Sequence, residues 1–583
     1  MNEEQLHNIR HSAAHMLAAA VLELYPGTKL AIGPTIENGF YYDFKFPDGI
    51  TISDADLVKI EKKMKHIIKG AHKFVGKPAS YDEAKEIEKD EPFKLDLIKE
   101  LEEKGENITF YESGPFRDLC RGGHVERTTE ITVAGLKLDK VAGAYWRGDE
   151  KNPMLTRIYG LLFETREELD KHLQLLEEAK KRDHRKLGKE LDLFTFSELV
   201  GPGLPLWTPR GTLLRNVLDN FVWELREERG YQKVSIPHIT KKDLYETSGH
   251  WEKFSDELYK IVSREGHEFA MKPMNCPHHT QIYNHVARSY KDLPQRYAET
   301  TTCYRDEQTG ELHGVSRTRA FSQDDAHVFC RRNQVKVEFL KIWDIIDIFY
   351  KAVGFNELDV RLSLHDPDNF KKYLGTPEIW QEAEDALREI AKEKGVDYVE
   401  QKGEAAFYGP KVDFMAKDSI GREWQVATIQ LDINLPERFD LSCTNEQGEK
   451  ERIVMIHAAI MGSIERFLSI FIEHHAGNFP VWTAPVQVQF LPVSEKHVED
   501  AEKFEKEFKE AGIRVGLDKA DETVGNKVRK AVGQKIPYIL VVGDKEIAGE
   551  DWMVRVRGQV DQEKMSKEEF KEQVKNESKK RIA

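Results

Sequence analysis

Apolar and polar positions recur with several different rhythms along this chain, and the changes of rhythm divide it. Residues 3–24 carry apolar positions at helical spacing, rich in alanine and leucine, and run into Pro26-Gly27; they predict one long helix. Mixed short strands and helices are expected from there to about residue 160. Residues 164–187, ETREELDKHLQLLEEAKKRDHRKL, carry dense i,i+4 charge pairs and predict a solvated linker helix. A second region opens at LDLFTF near residue 191 and reaches about residue 480. Its longest predicted helices are Gly211–Glu228, Asn333–Val353 and Ala458–His475. Thr483-Ala484-Pro485 marks a boundary. Beyond it VQVQFLPV, IRVGLD, IPYILVVG and DWMVRVRG read as strands, and EKHVEDAEKFEKEFKEAG and TVGNKVRKAVGQ as helices. That alternation implies a small α/β domain with a mixed sheet. The expected division is therefore 1–163, a linker helix 164–188, 189–482 and 483–583, an α+β multidomain chain without internal repeats.

Length and composition agree. A chain of 583 residues suggests three or four domains, and 40% hydrophobic with 32% charged residues is a globular balance. No apolar run approaches the ~18 residues of a membrane span. The opening MNEEQLHN is acidic and polar, unlike a signal peptide. The five scattered cysteines predict a reducing, cytoplasmic setting with thiols free for metal or catalysis. A net charge of −15 argues weakly against nucleic acid, but the charges of residues 485–583 balance, so basic faces on an acidic body remain open.

The most informative stretch is RYAETTTCYRDEQTGELHGVSRTRAFSQDDAHVF, residues 296–329. Arg305 and Glu307 precede a polar loop, and Arg317, Arg319 and Phe321 follow it. Guanidinium forks suit phosphate oxygens, and an aromatic face suits a base. The alternative is a charged β-hairpin. The order Arg-x-Glu, loop, Arg-x-Phe resembles motif 2 of the class II aminoacyl-tRNA synthetases, and the following DDAH resembles the threonyl-tRNA synthetase family. RGTLLRNVLDNFVWELREERGYQKVSIPHI, with Pro237, resembles motif 1, the homodimer interface; GSIERFL, with Arg466, resembles motif 3. The resemblance implies an antiparallel sheet flanked by helices. It also implies that Arg305 holds the α-phosphate and the substrate carboxylate, and that Arg317 and Arg466 hold the γ-phosphate end. Phe321 would stack on adenine, with Glu307 and Gln425 nearby and Mg²⁺ accompanying ATP. Fixed cations aimed at the reacting phosphorus give the largest stabilisation of such a transition state.

Cys276 in KPMNCPHH, His327 in DDAH and His457 in MIHAAIMGSIERF are too far apart for any local zinc spacing. The resemblance implies that they are three Zn²⁺ ligands, leaving a position for the amino group and hydroxyl of L-threonine. Cys330 and His279 are rival ligands, and three unrelated core residues are the plain alternative. Gln323, Asp325, Tyr408 and Lys411 match residues around the substrate. A site that ligates the hydroxyl rejects valine, whereas serine, short of one methyl, escapes by only ~1–3 kcal/mol. His250 in SGHW matches a histidine thought to assist proton movement during transfer; a structural histidine beside Trp251 is the equal alternative.

The serine problem gives the N-terminal region a purpose. His11 and His15 lie four apart on one helical face, and RDLCRGGHV groups Asp118, Cys120 and His124 with two glycines that let the backbone bend. HxxxH followed by CxxxH resembles the editing domain shared by threonyl- and alanyl-tRNA synthetases. It implies hydrolysis of seryl-tRNA by the quartet with Lys94 and Asp118, through polar and acid–base contacts, though four such side chains could also ligate zinc. A zinc-stabilised, non-catalytic fold is the alternative. The C-terminal domain resembles the class IIa anticodon-binding domain, with Glu546 and Arg555 matching readers of the tRNA(Thr) anticodon, against solvated charges. Relatives often carry a further small N-terminal domain, which this chain, beginning at the editing helix, is expected to lack. They also often have glycine where His278 stands. The rivals are an RNA-binding paralogue without catalysis and a stand-alone metallohydrolase.

Overall fold

The computed structural model describes residues 2–549 and 551–582 and resolves the chain into two compact units, Met1–Glu177 and Glu178–Ala583. In the first, the predicted helix is Glu3–Leu24, opened by a capping box between Asn2 and Gln5. Its alanines Ala13, Ala14, Ala18 and Ala20 are fully buried, so the helix lies close on strand Gly39–Lys45. That strand pairs antiparallel with Met154–Leu162, which pairs with Leu136–Tyr145. A second sheet, Phe74–Ala79, Ile108–Ser113 and Phe116–Leu119, carries Asp118 and ends just before Cys120.

The linker is two helices, Arg166–Arg182 and His184–Glu190. Asp183 ends the first and caps the second by accepting from the Arg185 amide, a break that uniform charge pairing conceals.

The second unit is built on an eight-stranded sheet. Its central strands run antiparallel in the order Gln295–Tyr304, Ala320–Cys330, Val454–Ala459, Glu423–Asp432, Lys411–Lys417, Leu358–Leu364. The outermost strands, Gln232–Lys233 and Tyr398–Lys402, are parallel to their neighbours. Helices Pro209–Glu227, Val335–Ala352 and Ile464–His474 bury Leu214, Leu218, Phe339, Ile346, Phe467 and Phe471 in one core with the sheet. The helix expected over Ala458–His475 is corrected: strand Val454–Ala459 takes its first residues, Gly462 turns at φ 65°, and the helix starts at Ile464 under the Ser463 cap. The continuous apolar run fits strand and helix equally, so periodicity could not divide it.

A buried ion pair ties these parts together. Arg226 lies 2.5 Å from Asp324, whose other oxygen accepts from the amides of Ile460 and Met461. Arg226→Met is expected to lower unfolding free energy by about 3–5 kcal/mol, because a buried carboxylate loses its cation. A shift below 1 kcal/mol in the denaturant midpoint analysis would rule that out.

The C-terminal sheet is mixed as expected, parallel through Val515–Leu517, Val488–Pro492 and Tyr538–Val542, then antiparallel through Trp552–Val556 and Gln562–Met565. The last strand and the closing helix Lys567–Lys580 were not predicted, since both are mostly polar.

Candidate active sites

Sheet register assembles the first site. Ala320–Cys330 and Val454–Ala459 pair so that His327 faces His457 directly, and helix Cys276–Asn284 sets its first residue against them. The ligand atoms of Cys276, His327 and His457 lie within 4.8 Å of one another, all buried. Nε2 of His327 is 3.1 Å from Nδ1 of His457. Behind them Nε2 of His457 donates to Asp432 at 2.9 Å, and Nδ1 of His327 sits 2.7 Å from Nδ1 of His279. Burial holds the Cys276 thiol well above its ordinary range and His327 well below its own. Of the rivals, His279 stands behind His327 as its hydrogen-bond partner. Cys330 points into the hydrophobic core and is no ligand.

A cavity of about 400 Å³ opens on this trio and is also lined by Arg305, Gln323, Asp325, Tyr408, Gln425 and Arg466. Asn275 donates to Asp325 at 3.0 Å, and Gln425 donates to Asp413 at 2.7 Å. Arg305 lies over the Phe321 ring, 5.2 Å from its centre. Four predicted ATP- and threonine-binding residues, Phe321 among them, are not on the cavity wall. Glu307 and Arg317 pair with each other at 2.8 Å in the loop, and Lys411 pairs with Asp413 at 2.5 Å.

His250 is fully buried. Ser248 donates its hydroxyl to the Tyr245 carbonyl and so accepts from Nδ1 of His250 at 2.8 Å. The other nitrogen therefore carries the lone pair, 3.9 Å from the Cys276 sulfur, and burial with His457 and Arg305 pushes its pKa down to about 3. His278 is buried near Tyr245, away from the cavity lining.

The second site lies in the first unit, where a cavity of about 530 Å³ is lined by His11, His15, Lys94, Asp118 and Cys120. Cys120 sulfur is 3.4 Å from Nε2 of His11 and 3.2 Å from Nε2 of His124. The His124 ring is stacked on Phe74 and on His11, just behind the lining. Asp118 accepts from Tyr42 at 2.5 Å and pairs with Lys94 at 2.5 Å. Tyr42 is a site residue the sequence reading missed; nothing in GFYYDFK separates it from a core aromatic. Burial pushes His124 down to about 2 and Cys120 up to about 11, so both stay neutral at ordinary pH.

In the C-terminal domain Glu546 turns its carboxylate back to the Gly543 amide, and Arg555 lies on strand Trp552–Val556 opposite Ile539. No hydrogen bond or ion pair joins these two among the described residues.

Residues 259–475 match the family described as tRNA synthetase class II core domain (G, H, P, S and T). Residues 487–577 match an anticodon binding domain, and residues 108–159 the threonyl and alanyl tRNA synthetase second additional domain. The threonine–tRNA ligase of Porphyromonas gingivalis is 51% identical over 562 residues, 96% of this chain and 86% of the relative. That of Cytophaga hutchinsonii is 49% identical over 98% of this chain and 89% of its own length. The chain belongs to the threonyl-tRNA synthetase family. It is accordingly a class II aminoacyl-tRNA ligase for threonine with an editing domain, as its motifs led us to expect. Among solved structures, the RNA binding domain of threonyl-tRNA synthetase from Cryptosporidium parvum superposes with a TM-score of 0.64 at 37% identity, over 68% of this chain and 98% of that one. A prolyl-tRNA synthetase from Giardia lamblia, at 17% identity and a TM-score of 0.54, covering 68% of this chain and 79% of that one, shares the fold. No helix among the described residues is long and apolar enough to cross a membrane.

Proposed function

We propose that the 400 Å³ cavity activates threonine with ATP and that Cys276, His327 and His457 hold a Zn²⁺ ion there. The observation that carries this reading is the convergence of one thiol and two imidazoles on the wall of a cavity also lined by two arginines. The donor set fits the metal. With Asp432 taking the Nε2 proton of His457 and His279 accepting from Nδ1 of His327, the two remaining nitrogens present lone pairs to the same space as the thiol. Imidazole ligands are commonly oriented by such outer partners. When bound, the ion would act as a Lewis acid that takes the amino group and hydroxyl of threonine and leaves valine unmatched. Asp432→Asn is expected to weaken zinc affinity about 10- to 100-fold in chelator competition; unchanged affinity would remove Asp432 from the role.

The chain's own residues do the rest. Asp325, fixed by Asn275, and Gln323 face the amino acid with Tyr408, and Lys411 supports that wall through Asp413. Arg305 and Arg466 aim at the α- and γ-phosphates, Arg317 joins at the γ end, and Phe321, Glu307 and Gln425 take the adenine. ATP arrives with Mg²⁺, held chiefly by its phosphates. For transfer to the ribose, Nε2 of neutral His250 is the unprotonated base. Motif 1 forms a homodimer, the setting is cytoplasmic, and Glu546 and Arg555 read the anticodon. The proposed domains keep the boundaries 1–163, 164–188, 189–482 and 483–583.

The 530 Å³ cavity hydrolyses seryl-tRNA(Thr). Neutral histidines take the proton of water, and Lys94 with Tyr42 fixes Asp118 beside the ester. The quartet's atoms, within 4.8 Å, would also admit an ion, so metal content is decisive. One zinc per chain, lost in Cys276→Ala, fits this reading, and two would overturn its metal-free part. The test of the whole is threonine-dependent ATP–pyrophosphate exchange. Activity with threonine, weaker with serine, absent with valine and lost on chelation supports it. No exchange would favour the RNA-binding paralogue.

A further inference from the structure

We infer that His184 is a positioning residue for ATP, clamping the loop between Arg305 and Phe321 to the helix that carries Arg466. His184 opens the short helix after the linker break, and its side chain is buried. Two groups grip it. Glu473 accepts from both its amide, at 3.0 Å, and its Nδ1, at 2.6 Å. At the other edge of the ring, the Val315 amide donates to Nε2 at 3.3 Å. An amide can only donate, so Nε2 is the unprotonated nitrogen and Nδ1 carries the hydrogen that goes to Glu473.

Both grips lead to proposed phosphate ligands. Val315, fully buried, is two residues before Arg317 in the loop. Glu473 is seven residues after Arg466 on helix Ile464–His474, two turns along the same face. One imidazole thus fixes the spacing between the loop that bears Arg317 and the helix that bears Arg466. Glu473 is itself steadied by Arg422 at 2.6 Å. Asp183, His184 and Glu473 also lie close enough to suggest a cation, but their atoms are taken, Asp183 by Arg185 and Glu473 by Arg422 and His184. They form a clamp.

Gly314 makes the clamp selective. It sits at φ 51°, and a Cβ there would fall 2.2 Å from Nε2 of His184. The loop can reach the imidazole only because residue 314 has no side chain. Distance between cationic groups matters at this site, since misplacement of about 1 Å can cost about 10²-fold in rate.

This rests on the assignment of Arg317 to phosphate, so Arg317→Ala is the control. His184→Asn keeps a donor near the position of Nδ1 for Glu473 and loses the reach to Val315. Gly314→Ala leaves the His184–Glu473 bond and displaces the loop. In pyrophosphate exchange with the full chain, both variants are expected to raise KM for ATP about tenfold, with KM for threonine and zinc content unchanged. If Arg317→Ala raises KM for ATP while the other two behave as the parent, the clamp is overturned and the phosphate assignment stands. If Arg317→Ala itself leaves KM for ATP unchanged, the phosphate assignment fails. A loss shared equally between ATP and threonine makes His184 an ordinary core residue and also overturns the clamp.

Discussion

Cys276→Ala is expected to release the zinc and to collapse the discrimination between threonine and valine. A site built to bond a hydroxyl rejects the analogue lacking it by about 10⁴–10⁵, because its polar partners go unmatched. A pocket that reads only shape separates such isosteres by about 10². The ratio of kcat/KM for threonine over valine in pyrophosphate exchange should therefore fall from about 10⁴ or more in the parent to about 10² or less in the variant. Absolute activity with threonine falls as well, so the ratio is the informative quantity. His327→Ala should behave alike, since the two residues share one site in which their ligand atoms lie within 4.8 Å of each other. Cys330→Ala, which alters a core thiol outside the cluster, should leave the ratio intact. A variant at Cys276 that keeps its zinc and its rejection of valine would remove the metal from the specificity of this enzyme.

The contrast between Cys276 and Cys330 shows where sequence reasoning runs out. Both are cysteines near the same histidines in order, and only the antiparallel register of Ala320–Cys330 with Val454–Ala459 decides between them. That register opposes His327 to His457, 130 residues apart, and turns Cys330 into the core. Such pairings are non-local, so no spacing rule reaches them. The first helix and the C-terminal alternation were legible because each buries one face in a period of its own. Asp432, His279, Tyr42 and His184 were not: each is a common residue in an ordinary run, set beside the candidate site residues only by the fold. The motif resemblance supplied the proposed ligand trio, and the structure supplied the hydrogen-bond partners beside it.

The largest effect outside the synthetic cavity is expected at His124. His124→Ala should lower hydrolysis of seryl-tRNA(Thr) by about 10²–10⁴, the usual contribution of a positioned acid–base group. Pyrophosphate exchange with threonine should be unchanged, which separates loss of editing from loss of fold. The pH profile gives a second readout. Burial pushes His124 down to about 2 and holds His15 well below its ordinary value, with neighbouring imidazoles adding to both. A lowered pKa means that the charged form appears only at more acid pH, so the neutral, proton-accepting form persists as pH falls from 8 to 5. A free imidazole of pKa about 6.5 would lose roughly thirtyfold of its basic form at pH 5. Once the uncatalysed hydroxide reaction is subtracted, the enzymatic rate should be flat within about twofold over that range. A steep fall centred near pH 6.5 would mean that the base is a solvated histidine, and that the buried quartet serves the architecture of the site while the proton is taken elsewhere.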